Sequence, residues 1–458
     1  MDAGHPDRNT FERFSRGEAT AAEERWIEEH LRSACARCQR HVDEVLSCAF
    51  APGGLDPGAL AGAGPDRPDS EDESWDRLFA RLGSRLSGAA AERGEAPALL
   101  AELWSQPWEE QSILLRLDRR LRTVAVCELL IEKSFEEGFR DTTRAIELAE
   151  RGLLLAEMLD AERYGSSVVQ DLQARAWAYL GNARRIAFDL AGAEAALARA
   201  ERLVEEGSAD PLEEARVLDL RASLLSDQGH FEQAAELLEV VIDIYGDLGE
   251  PHRKGRAMIG KGVFLGYSGW PEEAIRQIRK GLGLIDWDRE PRLVLMARHN
   301  LAWFLNDCGR AEEALRHLER FRHTYRGFSD AWTALRLAWL EGRIAGGLGR
   351  LDEAETLLRE VRGRFLAEGH GYDAALVTLD LAHLHLERGR TAEVRLLAEE
   401  LLDLFLSHDI HRQAIAALAV FQQAAAMDDA TPGLAQAVSS YLVRARKNPQ
   451  LRFEKAAA

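Results

Sequence analysis

Six stretches of this chain can be laid over one another at a nearly constant spacing, and that period limits the possible folds more than any other feature. The segments AGAEAAL, EQAAELL, EEAIRQI, EEALRHL, DEAETLL and AEVRLLA align on Ala193, Ala234, Ala274, Ala314, Ala354 and Val394, which lie 41, 40, 40, 40 and 40 residues apart. Five residues before each landmark stand Phe188, Gly229, Gly269, Gly309, Gly349 and Gly389. Twelve before stand Gly181, Ala222, Gly262, Ala302, Gly342 and Ala382, all small. Four after come Leu197, Leu238, Ile278, Leu318, Leu358 and Ala398, mostly large and apolar. A unit of this length cannot bury its apolar face alone, so the repeats must stack and share a core.

Each repeat reads as two helices. The glycine ends the first, because a residue without a side chain adopts the left-handed turn freely. Short acidic stretches such as those at Glu272–Glu273 and Asp352–Glu353 start the second, with carboxylates at the positive end of the helix dipole. The small landmarks let the helices approach, and the large ones fill the space between repeats. The expected fold class is all-α. From residue 73 onward Ala, Leu, Glu and Arg dominate and β-branched alternation is scarce.

These landmarks resemble the tetratricopeptide repeat, with Trp177, Leu180, Gly181, Ala193, Leu197 and Ala200 the best single match. The resemblance covers about residues 165–405 and departs from the family in repeat length, 40 residues against the usual ~34. It is similar to the longer-helix variety of bacterial regulatory and peptide-sensing proteins, and implies a right-handed superhelix that binds protein. Weaker copies flank the array: residues 73–164 form its degenerate N-terminal part, with the clearest pattern over Leu121–Leu159. Residues 406–446, with Arg412–Met427 and Leu434–Arg446, form a C-terminal capping pair. Residues 447–458 read as a tail.

Ahead of the array, residues 49–72 hold five Gly and four Pro and read as a flexible linker. Residues 1–48 carry three of the five cysteines. There Thr20 and Glu23 have capping-box spacing and start a helix bearing Trp26, Ile27 and His30. Cys35 and Cys38 can place both sulfurs on one tetrahedral metal, and His30 at a helix end reaches the same point. In a reducing compartment the soft partner for such thiolates is zinc. The segment resembles the zinc-containing anti-sigma fold, which implies Zn2+ on His30, Cys35, Cys38 and an upstream His5, with His41 and Cys48 as rival fourth ligands. The gap from His30 to Cys35 is one residue longer than that family's. A metal-free version of the fold, and a chance pair of cysteines, are the alternatives to ligation. The resemblance further implies an extracytoplasmic-type sigma factor as partner.

Charge and composition exclude other classes. Lys and Arg number 58 against 77 Asp and Glu, a formal charge of −19, which opposes direct contact with nucleic acid or an anionic membrane. No run of eighteen apolar residues reads as a spanning helix, and the polar N-terminus lacks a signal peptide's apolar run. The expected location is the cytoplasm. No phosphate loop, nucleophile elbow or HExxH motif is present, so the chain is expected to be non-enzymatic. Cys127 and Cys308 sit in apolar helical patterns and read as buried thiols. His383 and His385 point to different helix faces, while His408 and His411 are three apart without further ligands.

Eighteen residues before the landmarks stand Arg175, Arg216, Arg256, Met296, Arg336 and Leu376. The family pattern sets these on the inner face of the first helices, with Tyr179, Asn182, Arg185, Tyr267, His299, Asn300, Trp303, Asn306, Trp339 and Arg343. Two readings compete. The arginines hold carboxylates of an acidic peptide or protein between aromatic anchors, or they pair with acids of the neighbouring repeat. The implied function is a protein–protein adaptor in transcription regulation, binding a sigma factor at its N-terminus and a second protein in the array. The alternatives are a scaffold without a sigma partner and a peptide or small-ligand receptor.

Overall fold

The computed structural model describes residues 73–446 apart from 139, 209, 329 and 408–411, together with Thr10, Thr20, Glu23 and Phe453. The ligand set His5, His30, Cys35 and Cys38, its rivals His41 and Cys48, the linker at 49–72, and His408 and His411 all lie outside the described residues. Within the N-terminal segment, Thr20 and Glu23 form the expected capping box. The Thr20 amide donates to Glu23 Oε2 at 2.9 Å, and the Glu23 amide donates to Thr20 Oγ1 at 3.3 Å.

The described residues form helices and no strand. The chain divides into two compact units, Met1–Leu220 and Arg221–Ala458, a boundary that the repeat pattern does not mark. The first unit contains α1 (Glu73–Trp104), α2 (Trp108–Leu117), α3 (Val124–Glu137), α4 (Thr142–Met158), the single turn α5 (Ala161–Tyr164), α6 (Ser166–Ile186), α7 (Leu190–Glu206) and the start of α8 (Pro211–Asp227). The second unit continues with α9 (Phe231–Asp247), α10 (Pro251–Tyr267), α11 (Pro271–Leu282), α12 (Pro291–Asp307), α13 (Ala311–Phe321), α14 (Ala331–Gly347), α15 (Leu351–Ala367), α16 (Gly371–Glu387), α17 (Thr391–Ser407), α18 (Arg412–Ala426) and α19 (Pro432–Ala445). No helix among the described residues is long and apolar enough to cross a membrane.

The period is visible as repeated local geometry. Phe188, Gly229, Gly269, Gly309, Gly349 and Gly389 all have positive φ, between 64° and 93°. After each of them the next amide reaches back five residues: Asp189, His230, Trp270, Arg310, Arg350 and Arg390 donate to the carbonyls of Arg184, Leu225, Leu265, Leu305, Ala345 and His385. This is the Schellman closure of a helix end. All six landmark side chains are buried, and the small positions meet the large ones. A Cβ on Gly181 would lie 2.9 Å from Leu197, and one on Gly262 would lie 2.7 Å from Ile278 and 3.0 Å from the Ala274 carbonyl. One on Gly342 would lie 3.0 Å from Leu358. A side chain at Gly262 would press on the backbone of the paired helix, and one at Gly181 or Gly342 would require the facing leucine to shift.

Phe188 is the exception in chemistry but not in shape. It has φ 64° and is 90 % exposed, so its ring contributes no burial while its Cβ strains the turn by roughly 1–2 kcal/mol. Glycine's own entropy cost offsets part of the relief. Phe188→Gly is therefore expected to raise stability by about 1 kcal/mol in urea denaturation. An unchanged or lower midpoint would count against the strain.

The second helices α9, α15 and α17 span 17 residues, but α11 stops after 12 and α13 after 11. Gly249 and Gly369 follow the long helices α9 and α15 with positive φ, whereas Arg289 and Ser329 occupy the equivalent positions after the short ones. Beyond α13 the chain tightens into a 3-10 helix, Arg322–Gly327. Two helices, α18 and α19, follow the array. The helix that packs on α16 is α19, with α18 set against α17. The Tyr372 hydroxyl donates to the Leu442 carbonyl at 2.5 Å, and Arg446 Nη1 lies 2.8 Å from Asp373 Oδ1.

Cys127 is fully buried, its thiol donating to the Gly152 carbonyl at 3.2 Å. Cys308 corrects the expectation of a buried thiol. It caps the C-terminal end of α12 and is only partly covered, because the helix ends there and the next residue, Gly309, turns away. Burial and the nearby Glu272 still push its thiol up to about 11.

Candidate functional site

In the second unit the first helices α10, α12, α14 and α16 are successive neighbours, while consecutive second helices are not in comparable contact. The stack therefore curves with the first helices inside, and their side chains share one face. The Tyr267 ring on α10 packs between Phe231 and Phe304, with centroids at 5.6 and 6.1 Å.

The arginines of the register fall into two groups. Arg175 on α6 is held between two helices: its Nη1 lies 2.7 Å from Glu128 Oε1 on α3, and its Nε donates to Glu213 Oε2 on α8 at 2.9 Å. Arg216 reaches the same Glu213, at 2.5 Å. Asn182 is buried and accepts from Arg185 at 2.9 Å, and Tyr179 sets its ring edge-on to Phe135 at 5.9 Å. In the second unit Arg256 lies 3.0 Å from Glu290 Oε2, and His252 holds the same carboxylate at 2.9 Å. Burial alone would raise the Glu290 carboxyl, but Arg256 and His252 hold it below the usual range. Arg175 and Arg256 pair with acids of the neighbouring repeat, as the competing reading has it, whereas Arg216 pairs with an acid of its own helix.

Arg336 differs. Among the described residues no carboxylate lies within ion-pair reach of its guanidinium. Its contacts are the Trp303 and Trp339 rings, with centroids at 5.6 and 5.7 Å, and His299 Nε2 at 3.4 Å. The two indoles stand edge-to-face at 5.1 Å. An arginine has no lone pair to offer, so His299 Nε2 must be the acceptor and the imidazole proton sits on Nδ1. That proton is donated to the Tyr325 hydroxyl oxygen, 2.9 Å away. Burial, then the charge of Arg336, holds His299 well below the ordinary histidine range, so the ring stays neutral and adds no positive charge of its own.

Arg343, one turn beyond Trp339, is tied down. Its Nη2 lies 2.8 Å from Asp307 Oδ1 and its guanidinium stacks on Trp303 at 4.1 Å. Asp380 accepts the Trp339 indole N–H at 2.6 Å and stands 3.8 Å from Arg343 Nε. Asn300 is buried beside this cluster on α12, whereas Asn306 keeps a buried Oδ1 without a hydrogen-bond partner among the described residues. Met296 is exposed and Leu376 is buried, so in the second unit the register offers a cation at Arg256 and Arg336 only. The face can thus pair an anion with Arg336 beside the Trp303 ring, with its other arginines already matched.

Repeat register misses several of these residues. Asp307, Asp380 and Tyr325 hold the inner-face side chains in place, yet none belongs to the arginine register. Trp287 and Phe321 sandwich the buried guanidinium of Arg298 at 4.2 and 3.7 Å. Trp287 follows the end of the short α11, and Phe321 is the last residue of the short α13. Of the two histidines on α16, His383 meets the Pro432 carbonyl at 3.2 Å and His385 is buried, on different faces as expected. Among the described residues no group of three or more His, Cys, Asp or Glu side chains has the arrangement of a metal site.

No family model and no curated protein matches the chain. Solved structures do. A Rap protein complexed with competence and sporulation factor superposes with a TM-score of 0.51 and 12% identity, over 70% of this chain and 87% of that one. The apo form of RapI gives 0.48 at 13% identity over 62% and 97%, and aspartyl phosphate phosphatase F from Bacillus subtilis gives 0.47 at 12% identity over 88% and 96%. The first of these likenesses shows a shared architecture: the chain has an all-α, tetratricopeptide-like repeat fold.

Proposed function

We propose that the protein is a non-enzymatic receptor for another polypeptide, holding an extended acidic segment on the inner face of α12, α14 and α16. A carboxylate of that segment pairs with Arg336, and an apolar side chain rests on the half-buried Trp303, which the buried Trp339 backs edge-on. The observation that carries the reading is the unmatched charge of Arg336 between two tryptophans, where Arg175, Arg216 and Arg256 each face an acid. His299, buried behind Arg336, positions its guanidinium, Asn300 is buried beside it on α12, and Arg343 fixes the Trp303 ring on which the segment lies. Arg175, Tyr179, Asn182 and Arg216 serve the stack of the first unit. One structure of the same fold is a Rap protein complexed with competence and sporulation factor, which supports a receptor.

An end-blocked decapeptide alternating glutamate and leucine, and its glutamine counterpart, test this by calorimetric titration of the full chain. The glutamate peptide is expected to bind and the glutamine peptide to bind at least tenfold more weakly. Arg336→Ala should weaken the glutamate peptide about tenfold or more, since a hydrogen-bonded charge pair contributes roughly 1.5–3 kcal/mol. Arg256→Ala should change it less than threefold. Equal affinity for both peptides, or an unchanged Arg336→Ala, would refute the assignment.

The N-terminal segment carries a separate proposal, resting on its sequence motif and on the capping box at Thr20: it is a zinc-bearing module that binds a sigma factor, which makes the protein a cytoplasmic adaptor. Purified protein is then expected to contain one zinc per chain, lost in Cys35→Ser. Equal zinc in both proteins would remove Cys35 from the ligand set.

A further inference from the structure

The early end of α13 leaves a cavity that the groove reading does not use. The 3-10 helix repeats every three residues, so Arg322, Tyr325 and Phe328 fall on one side. With Thr333, Ala334 and Leu337 of α14 they line a partly open space of about 200 Å³. An apolar cavity of roughly 150 Å³ accepts a benzene ring, so this one has room for a group the size of a leucine or phenylalanine side chain. Its walls, the rings of Tyr325 and Phe328 and the side chains of Ala334 and Leu337, are apolar.

The rim is basic, and its charges are unequally committed. Arg322 lies 2.7 Å from Glu341, and Arg292 lies 3.3 Å from Asp330. Asp330 caps α14 and accepts both the amide and the hydroxyl proton of Thr333, at 2.8 and 2.9 Å. Arg326 is exposed and has no carboxylate within ion-pair reach among the described residues. A pocket with apolar walls and one uncommitted guanidinium at its edge suits an amphipathic anion: planar bidentate pairing for a carboxylate, and burial for the body behind it.

We propose that this cavity binds a compact apolar group carrying a carboxylate, with Arg326 on the carboxylate and the apolar part between Phe328, Ala334 and Leu337. Two sources share that chemistry, a free branched monocarboxylic acid and the apolar C-terminal residue of a polypeptide. The site goes beyond the groove reading and does not depend on Arg336.

The test titrates the full chain with 4-methylpentanoate, 4-methylpentanamide, acetyl-Gly-Gly-Leu with a free carboxylate, and the same peptide amidated. Both acids are expected to bind, and each amide to bind at least tenfold more weakly. Arg326→Ala should weaken the acids about tenfold, and Ala334→Phe, which fills the space from its exposed side, should abolish binding with helicity retained by circular dichroism. Arg336→Ala should leave these titrations unchanged while weakening the blocked decapeptide, which separates this site from the groove. Tighter binding of the tripeptide identifies a chain terminus as the occupant; equal or tighter binding of 4-methylpentanoate identifies a free acid. No binding by either acid, equal binding of acid and amide, or acid binding intact in Arg326→Ala or in folded Ala334→Phe would overturn the proposal.

Discussion

Replacing Glu213 with alanine is expected to lower the stability of the first unit by about 3–5 kcal/mol, because it removes the carboxylate shared by two largely buried guanidinium groups. Glu213 is 2 % exposed and receives two arginines, Arg175 from α6 and Arg216 from its own helix. Glu128, the other acid on Arg175, is 2.7 Å away and itself buried. It cannot neutralise both cations. Much of the loss comes from stranding those charges, so Arg175→Met with Glu213→Leu should be less destabilised than Glu213→Ala alone. Urea unfolding followed by circular dichroism measures both. A loss below about 1 kcal/mol for Glu213→Ala would mean that water reaches the arginines and the network has the weight of a surface pair.

Phe365→Ala should cost a similar amount, about 3–5 kcal/mol, by a different mechanism. The ring is fully buried on α15 and lies 5.9 Å from Trp339, 5.7 Å from Trp332 and 6.2 Å from His370. Its removal opens a cavity behind Trp339, one of the two plates beside Arg336, so the variant should also bind the glutamate peptide more weakly. Phe365→Leu, which keeps most of the volume, should cost under about 2 kcal/mol and retain binding. A Phe365→Ala variant with full stability would show that α14 and α15 collapse onto each other without the ring.

What was legible in the sequence follows from what a period can encode. Spacing of 40 residues identifies positions in equivalent surroundings. The turn at Gly269 and the contact of Gly262 with Ile278 could therefore be anticipated from residue size alone. The turn at Phe188 also followed, since neighbouring repeats impose the same backbone path on a residue that disfavours it. Register says nothing about partners that cross between repeats. Glu213 and Glu290 lie near the starts of the next first helices, and whether they reach Arg175 and Arg256 depends on rotamers and helix offsets. The arginines of the ladder are therefore equivalent by spacing, and only the folded structure separates Arg336 from the rest. The shortened α11 and α13 had a faint signal, the lack of glycine at 289 and 329. The cavity beside Arg326 and the Arg298 sandwich lie just beyond the ends of these short helices. The apolar pattern of the C-terminal pair does not say which of its helices meets α16.

Where an acidic segment sits on the chain is the most direct question to ask of this account. The glutamate–leucine decapeptide carrying a photoreactive phenylalanine at its centre can be cross-linked to the full chain and the adducts located by mass spectrometry. Adducts are predicted on the α12, α14 and α16 face, around Trp303 and Trp339, and should disappear in Arg336→Ala. Adducts concentrated on α13, α15 or α17, or an unchanged pattern in that variant, would contradict it.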